Sequence, residues 1–121
     1  MSGAPPPQPP PLELTPAHLE RLRLLAAAGF ELVRFQYFEG HIGLRKHGCA
    51  ALLTPLAGGA LKLAAEPAYL VEGHLGALVE RGGEQWFVWK SHQVPATPAR
   101  LAALDEFAAE LRALLEPPRA V

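Results

Sequence analysis

A histidine and a cysteine stand two residues apart, at His47 and Cys49, and His41, His74 and His92 lie on either side of them. Imidazole and thiolate are ligand types of tetrahedral zinc. A thiol beside an imidazole is also the pair that makes an activated nucleophile. The spacing fits no recognised zinc signature, so His47, Cys49 and His74 are weak metal candidates. The expectation is that Cys49 is a small buried apolar residue, with His41 and His47 in turns at strand ends. Ser91 and His92 are adjacent, and neighbours in an extended segment point apart, so they make no dyad by themselves. Glu66, Glu72, Glu80 and Glu84 fall at turns and strand ends, where carboxylates are solvated rather than paired inside a cleft. No catalytic residue and no cofactor are expected, and a small-molecule or metal-binding domain using the His/Cys set is the alternative function.

The densest aromatic stretch is GGEQWFVWKSHQ, residues 82–93, which holds both tryptophans of the chain. Read as a strand, it sends Trp86, Val88 and Lys90 to one face and Gln85, Phe87 and Trp89 to the other. FELVRFQYF, residues 30–38, is likewise apolar on both sides. A sheet built from such strands needs two covers. Helices can supply one, and the other is the second helix, a subunit partner, a ligand or closure of the sheet into a partial barrel. The sequence therefore offers a binding surface at Trp86, Trp89, Tyr37 and Lys90, because aromatic anchors bind partners without needing charge. Residues 86 and 89 are an odd number apart, so one tryptophan is expected as the core anchor and the other near an interface.

Composition restricts the partners. The chain has 121 residues, half of them apolar and 19% charged, with a net formal charge of -1. That composition suits one globular domain with no run long enough to span a bilayer. Basic residues are few and balanced by Glu31, Glu39, Glu80 and Glu84, so neither nucleic acid nor an anionic membrane is an expected partner. One cysteine allows no internal disulfide, and no secretory signal opens the chain, which together read as cytoplasmic. The abundance of Ala, Leu, Gly, Pro and Arg is typical of a GC-rich bacterial genome.

The elements that must position these residues are readable from their punctuation. MSGAPPPQPPP, residues 1–11, is an extended proline-rich tail, and residues 117–121 form a second tail after prolines that stop the last helix. Between them lies one α+β domain over 12–116. Thr15-Pro16 and Thr97-Pro98 each open a helix with a capping residue followed by proline at the first helical position. Leu14 and Leu19 occupy the places of a hydrophobic staple around the first cap. In the last helix Leu101, Leu104, Phe107, Leu111, Leu114 and Leu115 share a stripe, with Asp105, Glu106, Glu110, Arg112 and Glu116 opposite as solvated surface. Six short apolar runs broken by glycine, at 30–38, 41–46, 49–54, 60–65, 74–80 and 84–90, predict a five- or six-stranded antiparallel meander, partly closed or open, with the helices packed on it. No strand alternates with a helix, so a parallel nucleotide-binding sheet is excluded. The functional expectation is a protein-binding or adaptor module acting on a protein partner or as a homodimer.

Overall fold

The structure, a computed structural model, describes residues 14–35, 38 and 40–115. The proline-rich opening, Tyr37 and the end of the chain lie outside the described residues. The fold is α+β: among the described residues it runs helix α1 (Pro16–Ala27), nine strands, and helix α2 (Pro98–Leu115). Six strands form the main sheet: β1 (Glu31–Val33), β2 (Ile42–Lys46), β3 (Cys49–Pro55), β4 (Leu61–Leu63), β5 (Ala68–Val71) and β6 (His74–Leu75). Its order is β1-β2-β3-β5-β6, with β4 pairing the far end of β3 beside β5. The remaining strands, β7 (Ala77–Arg81), β8 (Glu84–Trp89) and β9 (His92–Pro95), form a separate three-stranded sheet. The sheets are antiparallel and open, so of the two forms the sequence allowed, partly closed or open, the open one is found.

Both helix openings form as their sequences dictate. The Thr15 hydroxyl accepts from the His18 amide at 3.3 Å, and Thr97 accepts from the Arg100 amide at 3.2 Å. At α1 the return bond of the capping box comes from His18, whose Nδ1 accepts from the Thr15 amide at 3.0 Å. Its Nε2–H donates to the Leu56 carbonyl at 2.7 Å, so this buried imidazole ties the cap to the β3–β4 connection. Gly59 makes that approach possible, because a Cβ there would land on Ala17. The staple is not closed as expected: Leu14 packs on the core, while Leu19 is exposed.

The main sheet answers the need for two covers in two ways. One face carries Ile42, Leu44, Cys49, Ala51 and Leu53, and packs on Leu22 and Leu25 of α1 and on Phe107 and Leu111 of α2. Phe30 sits in this layer, edge-on to Phe107 at 5.5 Å. The opposite face, built from Ala50, Leu52, Val33, Leu70 and Leu75, is covered by Phe35. The chain leaves β1 at Val33 and folds Phe35 over Gly43, where an added Cβ would stand 2.7 Å from the Phe35 ring. The missing side chain is what lets the ring come this close to the sheet. Hence 30–38 is not one long strand: Glu31, Leu32 and Val33 pair with β2, and Phe35 covers the sheet they belong to.

Three other boundaries differ from the sequence pattern. Residues 74–80 are two strands separated by Gly76, which is buried with its would-be Cβ position 2.7 Å from Val71. AYLV, which lies between the predicted runs at 60–65 and 74–80, is β5, paired with Cys49 and Ala50. HQVP, which lies beyond the last predicted run at 84–90, is β9, so β8 is the middle strand of its sheet. On α2 the apolar stripe is narrower than expected, because Leu114 is exposed. Two members of its charged face are engaged: Glu110 pairs with Lys46 and Arg112 with Glu66.

Candidate binding surface

Three consecutive rings of β8 have three different fates. Phe87 is the anchor: it is buried and stacks on Tyr69 of β5 with centroids 4.9 Å apart at 18°. This contact seats the three-stranded sheet on the end of the main sheet. Trp89 shares that face and lies parallel to the His74 imidazole of β6 at 3.6 Å and 3°. His92, its direct cross-strand partner, lies 6.0 Å away, and the Lys90 ammonium sits over the indole at 4.9 Å. Trp89 is thus a second tie between the sheets, half-buried, with Lys90 and His92 beside its ring. The expectation that one tryptophan would be the core anchor is overturned, because the phenylalanine between them takes that place and both indoles are half-buried.

Trp86 faces the other way. The ladder places Val79 of β7 and Pro95 of β9 directly beside it, and the next row is Ala77, Val88 and Gln93. Alternation puts both rows on the face opposite Phe87. The Trp86 ring makes no ring contact, and its indole N–H has no acceptor among the described residues yet is not sealed from solvent. Ala77 and Pro95 are exposed at either side. The result is an outward apolar stripe with a tryptophan at its centre, bounded by Arg81, which donates to Gln93 at 3.1 Å. Of the four residues expected to bind, Trp89 and Lys90 come together, Trp86 lies on the reverse face, and Tyr37 is outside the described residues.

The His/Cys set does not assemble. His47 is an exposed turn residue with φ +52°, His74 is stacked on Trp89, and Cys49 is fully buried beneath the helices. No three His, Cys, Asp or Glu side chains gather as a metal would need, among the described residues. Burial pushes the Cys49 thiol up to about 11. A thiol held neutral in this way is a poor nucleophile. Its linkage has a definite sign: the unfolded chain ionises first, so stability is full below about pH 8.5 and falls as pH rises toward 11. Relative to Cys49→Ala, the native chain should lose about 2–3 kcal/mol more between pH 8 and 11 in urea melts. Parallel curves for the two proteins would show that the thiol is not so held. Ser91 and His92 are both exposed, in the β8–β9 turn and at the start of β9.

Charged groups elsewhere are used for structure. Arg45 donates from Nε and Nη2 to the two oxygens of Glu31, each at 2.9 Å, and this hydrogen bonding holds the Glu31 carboxyl below its usual range. Lys46 donates to the Ala28 carbonyl at 2.6 Å and to Glu110, and lies over the Phe30 ring. Its charge thus caps the carbonyl end of α1. Glu31, Arg45 and Lys46 line a shallow depression with Gly29, His47, Gly48 and Leu70. Sequence reasoning missed His18, whose signal was its position three residues after Thr15, the capping-box spacing usually filled by glutamate or glutamine. No protein-family model, curated protein or solved structure matches the chain. No helix among the described residues is long and apolar enough to cross a membrane.

Proposed function

We propose that the chain is a protein-binding module that engages its partner through the Trp86 face of the three-stranded sheet. The observation that carries this reading is the half-buried Trp86, flanked by Val79, Val88 and Pro95, with an indole N–H that no described residue accepts from. A rigid amphipathic ring at the centre of an apolar patch is the usual anchor of a protein interface, and an indole with a free donor adds direction to the contact. Phe87 and Trp89 hold the sheet in place from behind, so the face is presented preformed and little ordering entropy is lost on binding. The lone thiol of Cys49 suits a reducing cytoplasm. The test is site-specific photo-crosslinking from position 88 in cells that make the protein. Discrete heterologous adducts that vanish in Trp86→Ala, with an unchanged melt, are the expected result. No adducts, or the same adducts from the variant, would overturn the reading.

A further inference from the structure

We infer that β7 is a self-complementary edge, through which a second copy of the chain pairs to make a continuous six-stranded sheet. The inference rests on the reading of the Trp86 face as an interaction surface and names one occupant for its margin. β7 pairs with β8 on one side only. Its loop to β8 has two residues, Gly82 and Gly83, with φ +60° and +81°, and Arg81 faces Glu84 across it. In such a hairpin the residues flanking the loop form a hydrogen-bonded pair, and bonded and non-bonded pairs then alternate along the ladder. Arg81, Val79 and Ala77 therefore turn their amides and carbonyls toward β8. Leu78 and Glu80 turn theirs outward, and neither has a main-chain bond outside the ladder. Pro95 fits this phase: it sits opposite Trp86 in a non-bonded position, where a missing N–H costs nothing.

Two outward residues separated by one inward residue are what an antiparallel two-fold requires. Placing Val79 opposite the second copy's Val79 puts Leu78 opposite the second copy's Glu80, and Glu80 opposite its Leu78. Those two pairs are the hydrogen-bonded ones, so all four outward amides and carbonyls on each strand find partners in this register. Side chains agree. The row Pro95–Trp86–Val79 continues into the second copy's Val79, Trp86 and Pro95, joining the two apolar stripes into one. Arg81 stands opposite Ala77, and no like charges oppose each other. Moving the axis to Glu80 would set two carboxylates face to face, which disfavours that register. Leu78 is 47% exposed on an edge without proline, bulge or lysine, the devices that ordinarily protect such strands.

Solution mass over a concentration series tests this directly. The native chain should rise from 13.0 kDa toward twice that value. Leu78→Pro places a proline where the N–H points outward, which the hairpin tolerates, and should weaken association at least about 10-fold by removing main-chain bonds. Leu78→Glu, which leaves the backbone intact and sets a carboxylate opposite the second copy's Glu80, should do the same if the proline variant does not fold. Oxidised Val79→Cys should give a disulfide-linked dimer, because the two-fold pair is non-bonded and its β-carbons are close, whereas Glu80→Cys should not. A chain that remains at 13.0 kDa throughout, an undiminished dimer in Leu78→Glu, or equal cross-linking at 79 and 80 would overturn the inference. The binding reading fails separately: heterologous adducts from position 88 depend on Trp86 and should persist in the Leu78 variants.

Discussion

Leu111→Asp should unfold the domain at room temperature. Leu111 has no exposed surface and lies among Leu22, Leu25, Phe30 and Phe107, where both helices meet the main sheet. A carboxylate there has no described cation within the cluster to pair with and either stays charged at a large desolvation cost or takes up a proton and still loses the packing. Either route exceeds about 4 kcal/mol, most of the stability margin of a domain this size. Circular dichroism should show loss of the cooperative melt. Leu104→Asp should be milder, because Leu104 is only partly buried at the edge of the same cluster. A Leu111→Asp protein that melts like the native chain would mean that α2 contributes nothing to the core.

Local rules carried the helices because their signals sit within four residues of where they act. Thr15-Pro16 and Thr97-Pro98 place the starts, and glycine at 48, 73, 82 and 83 takes the positive φ of the hairpin turns. What the pattern could not contain is contact between distant segments. Phe35 covering Gly43 depends on a side chain absent from a strand eight residues away, and nothing in FELVRFQYF alone distinguishes a strand from its own lid. β5 was hidden because AYLV is short, flanked by proline and glycine, and stabilised by pairing with Cys49 and Ala50 nearly twenty residues earlier. β9 was hidden by its proline, and Pro95 is tolerated only because its position in the ladder needs no donor. Without β9, the run at 84–90 is left as the last of the predicted strands.

The same omission shaped the view of the site. Alternation correctly separates Trp86 from Trp89, but alternation does not say which face meets the protein. That is decided by Tyr69 and His74, which belong to β5 and β6 and offer flat rings to Phe87 and Trp89. The histidines carried a chemical suggestion that packing dissolves: His18 is a cap, His47 a turn and His74 a stacking partner. His18 shows why type alone misleads, since a buried imidazole with both nitrogens bonded to backbone groups has no capacity left for a ligand.

Phe87→Ala should separate the two sheets, and its comparison with Trp86→Phe decides what the aromatic strand is for. Phe87 is 1% exposed and stacked on Tyr69, so truncation leaves a cavity at the junction where β8 meets β5. The expected loss is about 3–5 kcal/mol. Trp89→Phe keeps a ring but gives up part of the His74 overlap, and about 1 kcal/mol should follow. Trp86→Phe changes only the outward stripe, where no ring contact or side-chain hydrogen bond is lost, and should cost less than about 1 kcal/mol. Urea melts of the three variants should therefore rank Phe87 far above Trp89 and Trp86, although the tryptophans are the larger side chains. Equal losses at Trp86 and Phe87 would mean that the outer face is as enclosed as the inner one, and the binding surface would have to be sought elsewhere. A small loss at Trp86 combined with a lost cross-linked partner separates recognition from folding at a single ring, which is what a preformed interface requires.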